Sequence, residues 1–370
     1  MLDDAGRPPG LLVLAGDGIG PEITAATLAV LRAAAARAGV ALDLEERAIG
    51  FRALEAEGTT IPEAVVEAAG AADGIILGPV SHNAYPPREA GGLNPSGELR
   101  KRLKLFANIR PVVTPPGVRP ATGTPLDLVI YRENTEGFYA DRNLHLGPGE
   151  IMPTEDMVLS FRRVTRGACL AIARAAFAAA RARKERGVGP GRVTAVHKAN
   201  VLRFGDGLFL DCVREVARTY PEIALEEILV DAMCAHLVRR PASFDVIVTT
   251  NMYGDILSDL ATELAGSIGL AASLNAGEAA AMAQAQHGSA PDIAGRDLAN
   301  PASLIGSTAM LFDWLAERRG DARLVQVAAL IRAGLAEALR APETRTRDLG
   351  GTLGTAGFAA GIAGRIAAMG

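Results

Sequence analysis

The sequence predicts an α/β fold, and three observations lead to this class. Short apolar runs such as residues 11–15 (LLVLA) and 74–78 (GIILG) have the length of buried strands, and helical patterns follow them. Strands that alternate with helices favour a largely parallel sheet covered by helices. The length of 370 residues exceeds the size at which one hydrophobic core usually stops growing, so we expect two domains.

The first strand leads into a glycine-rich turn, residues 16–21 (GDGIGP), and then into a helical pattern over residues 22–38. Glycines at 16, 18 and 20 resemble a dinucleotide-binding loop, but Pro21 stands where that fingerprint has its last glycine. Proline suits the first turn of a helix. The turn therefore predicts a strand-to-helix connection that is not a Rossmann phosphate loop.

The same alternation continues along the chain, with two irregular stretches. Strands are predicted at residues 126–131, near 192–198 and at 228–230. Helices are predicted at about 154–186, 301–318 and 322–340. Residues 114–125 are rich in Pro, Gly and Thr and are expected to form a crossover. The stretch 141–153 is too long for a tight connection, so we expect it to be functional or an intersubunit arm.

Composition excludes several classes of partner. The chain has 38 basic and 42 acidic residues, and no basic run is interleaved with aromatic residues, so nucleic acid is not an expected partner. The three cysteines are far apart, as expected for free thiols in a reducing cytoplasm. The start of the chain does not resemble a secretory signal, and no window reaches the ~18 uncharged apolar residues that span a bilayer. We expect a cytoplasmic protein without a membrane partner.

The segment 244–260 (FDVIVTTNMYGDILSDL) carries the most informative pair of side chains. An apolar strand runs through a turn into a helix that bears Asp255 and Asp259, and residues four apart share one face of a helix. Two clustered carboxylates repel unless a cation lies between them, and hard oxygen ligands suit Mg²⁺ or Mn²⁺ better than zinc. The pair predicts a metal site, and a solvated helix face is the alternative.

Three arginines at the ends of predicted elements form a candidate carboxylate site. Arg100 lies in a helical pattern, Arg110 follows a strand-like run, and Arg132 ends a predicted strand. The guanidinium fork binds carboxylates bidentately, although in so arginine-rich a chain each arginine alone is more typical of a surface charge. Tyr139 follows soon after, and a buried phenol can donate a proton, with plain packing as the alternative.

Several motifs follow one another in a fixed order. They are GDGIGPE at 16–22, ANIRP at 107–111, RENTEG at 132–137, HKANV at 197–201, DAM at 231–233, TTNMYGDILSD at 249–259 and HGSAPD at 287–292. With this combination the chain resembles the metal-dependent β-decarboxylating dehydrogenases, which include isocitrate, isopropylmalate, homoisocitrate and tartrate/malate enzymes. The resemblance implies an isopropylmalate dehydrogenase-like two-domain fold with a mixed parallel sheet.

The resemblance also implies a reaction, namely NAD-dependent oxidative decarboxylation of a 3-substituted malate with Mg²⁺ or Mn²⁺. The implied metal ligands are Asp255, Asp259 and, from the partner subunit, Asp231. The implied substrate ligands are Arg100, Arg110 and Arg132. The implied base is Lys198, also from the partner. It is one of only four lysines in the chain, and lysine can be neutral near pH 7 whereas arginine cannot. Tyr139 is the implied acid.

The resemblance places the cofactor and the subunits as well. The implied NAD ligands are His287, Gly288, Ser289, Ala290, Asp292 and Asn300. A cofactor-side domain would combine residues 1–105 with 266–370, and residues 106–265 would form the central metal, substrate and dimerisation domain, with an arm at about 141–160. The implied assembly is a homodimer with shared active sites.

Two features leave the substrate open. The turn before Arg100 offers Asn94 and Ser96, the residue types of the isocitrate enzymes in the opposite order, which favours a polar, carboxylate-bearing substituent. Residues 231–238 (DAMCAHLV) are instead similar to isopropylmalate enzymes, and tartrate or D-malate is a further alternative.

The family often has Glu-Pro-Val where this chain has residues 284–286 (QAQ). A catalytically silent regulatory subunit is the remote alternative, although this chain keeps every site residue named above.

Overall fold

The computed structural model describes residues 7–139 and 149–369, and the chain divides into two compact units. Unit 1 comprises Met1–Lys104, Pro115–Val118 and Gly266–Gly370. Unit 2 comprises Leu105–Thr114 and Arg119–Ala265. The division differs from that expected from the sequence at Leu105, which falls in unit 2, and at Pro115–Val118, which clusters with unit 1.

The elements alternate between strands and helices over most of the chain, which confirms the predicted α/β class. The strands are β1 (Gly10–Leu14), β2 (Asp43–Glu46), β3 (Gly74–Leu77), β4 (Ala107–Val113), β5 (Asp127–Glu133), β6 (Glu150–Thr154), β7 (Met157–Ser160), β8 (Arg192–His197), β9 (Ala224–Leu229), β10 (Val246–Thr249), β11 (Leu274–Ala276) and β12 (Ala281–Gln284). The helices are α1 (Gly20–Arg37), α2 (Phe51–Glu57), α3 (Glu63–Ala71), α4 (Pro95–Arg102), α5 (Arg166–Glu185), α6 (Gly205–Ala217), α7 (Val230–Arg239), α8 (Asn251–Ala265), α9 (Ala302–Arg319), α10 (Ala322–Arg340) and α11 (Thr355–Ala368).

Unit 1 is built on the strand order β2-β1-β3-β12-β11. The first four strands are parallel, and β11 runs antiparallel to β12. The residues of β3 and nearly all of β1 are apolar and buried, as expected for parallel strands covered on both faces. Helix α1 packs against α9, α10 and α11, so segments from both ends of the chain complete this core.

Unit 2 has the strand order β4-β5-β10-β8-β9, in which β4 is antiparallel to β5 and the other neighbours are parallel. Alternate residues of its strands face two separate cores. Val246 and Val248 of β10 pack in the core that includes α5 and α6, whereas Ile247 packs in the core that includes α7 and α8. This alternation is the period of two expected of strands, and it fixes which side chains reach each face.

The sequence placed one helix boundary wrongly. A helix was expected from about residue 154, but β6 and β7 form an exposed antiparallel pair there, and α5 begins only at Arg166 after Thr165 has capped it. The β-branched and apolar residues of this pair do not follow a helical period. Within the described ranges, no helix combines the length and apolar character that crossing a membrane requires.

Candidate active site

The carboxyl ends of four parallel strands lie at one edge of the unit 2 sheet. The residues at or just after these ends are Arg132 for β5, Lys198 for β8, Asp231 for β9 and Asn251 for β10. Backbone pairing fixes their relative heights, since Thr249 of β10 lies beside Arg132 in register. Ligand sites of α/β proteins commonly form at this edge.

Asp255 and Asp259 lie one turn apart on α8 and face the same guanidinium. Arg110 Nη1 is 3.1 Å from Asp255 Oδ1 and 3.3 Å from Asp259 Oδ1. The two carboxylate side chains remain 41% and 50% exposed. The predicted shared face of the helix is therefore confirmed, and both carboxylates remain accessible.

Arg110, a buried residue of β4, is the cation between these two carboxylates. Its Nε donates a hydrogen bond to Asn108 Oδ1, and its Nη1 donates to Ser258 Oγ at 2.6 Å. Burial, together with repulsion from Arg132, lowers the pKa of Arg110 to about 10, and the nearby aspartates oppose this shift. The guanidinium therefore keeps its charge near neutral pH.

Arg132 is a second buried cation beside the same helix. Its Nε donates to Asn251 Oδ1 at 2.9 Å, its Nη1 to the Asp255 carboxylate and its Nη2 to the Tyr139 hydroxyl. The Tyr139 hydroxyl donates in turn to Asp255 Oδ2 at 3.1 Å, and the guanidinium carbon lies 5.7 Å from the centre of the tyrosine ring. Two arginines, two carboxylates and a phenol thus form one connected cluster within unit 2.

A glycine of α8 allows this close approach of helix and strand. A Cβ atom at Gly254 would lie 2.6 Å from both Cβ and Cγ of Arg132. Real side chains do not approach so closely, so any larger residue would displace the strand or the helix. The close packing of Arg132 against α8 therefore requires glycine at position 254.

Replacement of Gly254 by alanine is expected to destabilise the protein by about 1–3 kcal/mol, because the added methyl group overpacks a filled space. Chemical denaturation monitored by circular dichroism measures this change. The matched control is Gly207→Ala in α6, where the new Cβ would meet nothing within 4 Å. Alanine there should be neutral or stabilising by up to about 1 kcal/mol. Equal stabilities of the two variants would contradict the packing argument.

The glutamates of the RENTEG motif support the loop and do not face the cluster. Glu133 is buried, accepts hydrogen bonds from the backbone and hydroxyl of Thr135, and has a pKa raised by burial. Glu136 accepts from the backbone and hydroxyl of Thr165, both at 2.7 Å. Asn251 Nδ2 donates to the Glu136 carbonyl at 2.9 Å, which ties this loop to α8.

Lys198 and Asp231 form a separate pair in unit 2. The Lys198 ammonium donates to Asp231 Oδ1, and this hydrogen bond lowers the pKa of the aspartate. The fully buried Asp206 accepts from the backbone N–H of Lys198 and from the guanidinium of Arg162. Sequence reasoning missed Asp206. A lone acid between glycines at the start of a helix gave no signal of this role.

The oxygen donors suited to Mg²⁺ or Mn²⁺ therefore fall into two sets. Asp255 and Asp259 form one set, and Asp231 lies with Lys198. Across residues 7–139 and 149–369, no group of three or more His, Cys, Asp or Glu side chains is placed to hold a metal ion. One chain thus offers two carboxylates at one place, a donor set that fits a hard cation whose other ligands come from water, substrate or another chain.

In unit 1, the turn before α4 makes internal contacts. Asn94 Oδ1 caps the helix by accepting from the Gly97 backbone N–H at 3.2 Å. Ser96 is buried, and its hydroxyl donates to Gln284 Oε1 at 2.9 Å. Arg100 Nη2 donates to the same oxygen at 3.0 Å. Asn94, Ser96 and Arg100, which are three of the residues expected to contact the substrate, therefore each have a partner within unit 1.

The HGSAPD segment follows β12 in unit 1. His287 Nδ1 lies 3.0 Å from the Gly288 carbonyl oxygen, and burial lowers the pKa of the imidazole. A carbonyl accepts only, so in the neutral ring Nδ1 carries the proton and Nε2 is an acceptor. Nε2 is buried and has no hydrogen-bond partner among the described residues. This orphaned acceptor fits a hydrogen-bond donor on a bound ligand.

The other predicted cofactor residues lie close by in the same unit. Asn300 Nδ2 donates to Asp348 Oδ2 at 2.9 Å, and its Oδ1 accepts from the Ala302 backbone at the start of α9. Asp292 is exposed, in a short 3₁₀ helix that follows Ala290, which has a φ of +35°.

The GDGIGP turn serves packing in this structure. The buried Asp17 carboxylate accepts from the backbone N–H groups of Phe51 and Ser81, both at 2.9 Å, and from the Tyr85 hydroxyl. Gly18 has a φ of +56°, and a Cβ there would lie 2.0 Å from the Ser289 carbonyl oxygen. The prediction that this turn is not a phosphate loop of the Rossmann type agrees with these contacts.

Comparisons with known proteins agree with this geometry. The family model described as isocitrate/isopropylmalate dehydrogenase matches residues 10–362. The isocitrate/homoisocitrate dehydrogenase of Thermus thermophilus is 39% identical over 94% of this chain and 96% of that protein. The 3-isopropylmalate dehydrogenase of Methanothermobacter thermautotrophicus is 40% identical over 95% of this chain and 97% of that protein.

A solved structure extends the similarity to the fold. The isocitrate dehydrogenase from Methylococcus capsulatus superposes with a TM-score of 0.84 and 36% sequence identity, covering 97% of this chain and 99% of that one. The isopropylmalate dehydrogenase-like α/β fold expected from the sequence is thereby confirmed. The chain belongs to the isocitrate/isopropylmalate dehydrogenase family and is an oxidatively decarboxylating dehydrogenase.

Proposed function

We propose that this enzyme oxidatively decarboxylates a 3-substituted malate with NAD and Mg²⁺ or Mn²⁺. The observation that carries the proposal is the cluster in which Asp255 and Asp259 face Arg110 and Arg132, with the Tyr139 hydroxyl bound to Asp255. It combines hard oxygen ligands for a divalent cation, guanidinium groups for carboxylates and a proton donor, which this reaction requires together.

Asp255 and Asp259 would hold the metal, and the partner subunit's Asp231 would add a third carboxylate. When bound, a divalent cation lowers the pKa of a coordinated hydroxyl and stabilises the enolate left by decarboxylation. Arg110 and Arg132 neutralise the two aspartates in this structure. We infer that these guanidinium groups turn to the substrate carboxylates when the cation takes over that neutralisation, with Arg100 as a third ligand.

Lys198 and Tyr139 would move the protons. A neutral Lys198 would accept the proton of the C2 hydroxyl during hydride transfer. Asp231 of the same chain would hold the lysine side chain in place. The Tyr139 hydroxyl would protonate the carbanion carbon after CO₂ has left. Arg132, which donates to the phenol oxygen, stabilises the phenolate that this step produces.

The separation of the donors into two sets supports an active site built from two chains. Asp231 and Lys198 of one chain would complete the set of Asp255 and Asp259 of another. Apolar side chains near both sets are exposed, and Phe204, six residues after Lys198, is 96% exposed. Exposed apolar side chains of this kind fit a surface that a second chain covers. The apolar side chains exposed on β6 and β7 also fit the predicted intersubunit arm, of which residues 141–148 lie outside the described ranges.

NAD is the proposed cofactor, and preference for it over NADP is expected to depend on Asp292. An acid there can accept hydrogen bonds from the ribose hydroxyls, whereas a 2′-phosphate would meet like charge. Replacement of Asp292 by lysine should raise kcat/KM with NADP and lower it with NAD, moving their ratio by about 100-fold or more. Lysine in place of the exposed Glu278 is a control for the change in net charge. Equal efficiency of the wild-type enzyme with both cofactors would contradict the assignment.

For the substrate we propose isocitrate or a homologue of it, with 3-isopropylmalate and tartrate or D-malate as alternatives. Relatives named for isocitrate/homoisocitrate and for 3-isopropylmalate are almost equally similar to this chain, so overall identity does not separate them. The polar turn of Asn94 and Ser96 favours a carboxylate-bearing substituent. Both side chains keep hydrogen-bonding capacity beyond the contacts described above, and an apolar substituent that left this capacity unused in a desolvated site would cost about 1–3 kcal/mol.

The proposal is tested by steady-state kinetics of the purified chain with isocitrate, homoisocitrate, 3-isopropylmalate, D-malate and tartrate. Each substrate is measured with NAD or NADP, in Mn²⁺ or in EDTA. We expect metal-dependent NADH formation with release of CO₂ and the highest kcat/KM for isocitrate or homoisocitrate. A kcat/KM for 3-isopropylmalate tenfold above that for isocitrate would overturn the substrate assignment, and NADH formation without CO₂ would overturn the reaction.

A further inference from the structure

An open cavity of about 430 Å³ lies in unit 1, beside the carboxyl ends of β1 and β2. Its volume falls within the range of small-molecule sites, about 300–1,000 Å³. One side is a face of α1, and the residues that line it there are Pro21, Thr24, Ala25, Leu28 and Arg32. The remaining lining residues belong to β1 and the turn after it, to the connection from β2 to α2 and to the start of α2.

Part of the lining is apolar and consists of small side chains. Pro21 and Ala25 are exposed on α1, and Ala15 and Ala48 are half-buried beside β1 and β2. Side chains of this size leave the space open, and their apolar surface is suited to contact with an aromatic ring of a ligand.

Three arginines line the same cavity, and each comes from a different part of the fold. Arg32 lies on α1, Arg47 follows β2, and Arg52 lies in α2. Arg47 Nε donates to Glu45 Oε1 at 2.6 Å. No hydrogen bond or ion pair within residues 7–139 and 149–369 engages the guanidinium of Arg32 or Arg52. Glu46 is the one acid among the described lining residues, so positive charge exceeds negative charge here.

We propose that this cavity binds a small phosphorylated molecule with an aromatic ring, of which a nucleoside monophosphate is the simplest biological form. Guanidinium groups bind phosphate oxygens through charge-assisted hydrogen bonds, and Arg32 and Arg52 are not neutralised by a carboxylate. An inorganic anion would use the arginines alone, and an uncharged ring would leave them unused. A ligand with both a ring and a phosphate uses both parts of the lining.

The cavity is separate from the segment proposed to bind NAD. The glycine-rich turn after β1 lies between them, since Gly16 and Pro21 line the cavity whereas the Ile19 backbone N–H donates to the Ser289 carbonyl at 2.9 Å. None of the described residues from 287 to 300 lines the cavity. A molecule in the cavity and NAD are therefore expected to bind at the same time.

The probe is AMP, titrated by calorimetry into the full-length enzyme in saturating NAD, so that the proposed cofactor site is already filled. We expect one AMP to bind per chain. Inorganic phosphate and adenosine each carry one half of this chemistry, and each should bind at least about tenfold more weakly than AMP.

Two pairs of variants assign the binding to the cavity. Arg32→Gln removes an unpaired guanidinium and should weaken AMP binding by about tenfold, whereas Arg174→Gln, at an exposed position of α5, should not. Ala25→Phe fills the cavity from an exposed position of α1 and should abolish AMP binding. Ala29→Phe makes the same change at an exposed position of that helix outside the cavity and should leave the affinity unchanged.

Three results would overturn the inference. If AMP binds no more tightly than inorganic phosphate, the arginines form an adventitious anion site only. If saturating NAD abolishes AMP binding, the nucleotide occupies the cofactor site instead. If Ala25→Phe binds AMP with wild-type affinity, the ligand lies outside this cavity.

Discussion

Replacement of Lys198 by arginine is expected to lower kcat by about 10²- to 10⁴-fold while the protein remains folded. Arginine keeps the positive charge and can keep the ion pair with Asp231, but a guanidinium is not deprotonated in a protein and cannot act as a base. Steady-state kinetics at saturating substrate and Mn²⁺ measures the loss, and a thermal melt verifies the fold.

The chain offers a matched control in Lys184, whose ammonium donates to the Glu222 carbonyl at 2.7 Å. Lys184→Arg should have wild-type kinetics. If Lys198→Arg also stays within tenfold of the wild-type rate, the general-base assignment is wrong.

Mixed dimers of Lys198→Arg with Asp255→Asn test the sharing of sites. If each site takes Lys198 and Asp255 from different chains, half of the sites in a heterodimer are intact, so an equal mixture after subunit exchange should recover about a quarter of wild-type activity. Mixed dimers that are verified by mass spectrometry and remain inactive would argue for sites made within one chain.

Replacement of Asp255 by asparagine is expected to weaken Mn²⁺ binding and to lower activity at limiting Mn²⁺ by about 100-fold or more, because a ligand loses its charge. Binding can be measured without turnover, as the rise in melting temperature that Mn²⁺ produces in the wild-type protein. That rise should be largely absent in the variant. An unchanged metal-induced shift would show that Asp255 is not a ligand.

The same substitution should lower the stability of the metal-free protein. Asp255 forms ion pairs with both buried arginines, and its neutralisation leaves their two like charges with Asp259 alone of the two aspartates. Asp313 is the control, since it forms an exposed ion pair with Arg332 on α10. Asparagine at position 313 should change the free energy of unfolding by no more than about 1 kcal/mol.

The fold was predictable where local pattern and tertiary packing agree. The strands β1 and β3 could be identified from their uninterrupted apolar runs. The helices α9 and α10 could be identified from helical patterns that extend over many residues. The strands β11 and β12 were not predicted, because they have three and four residues and their alanines have little β propensity. Only neighbouring strands define such short elements.

The site was predictable to a similar degree and for a similar reason. The spacing of Asp255 and Asp259 on one helix is a local property, so the sequence contains it. Their contact with Arg110 depends on an antiparallel pairing between β4 and β5 that no short window encodes. Contact of Asn94 and Ser96 with the substrate stays a prediction. The structure adds a helix cap by Asn94 and a hydrogen bond from Ser96 to Gln284, which lies 188 residues away in the sequence.

The packing of α1 against α11 determines the order in which the chain can fold during translation. All segments of unit 2 have been synthesised once residue 265 has been added, and its core needs nothing from later residues. Unit 1 begins first and finishes last, because α1 packs against α9, α10 and α11 and Arg37 donates to the Met369 carbonyl at 2.9 Å. Its N-terminal half therefore carries an uncovered apolar helix and sheet for most of synthesis, and this interval is where chaperones would act on the nascent chain.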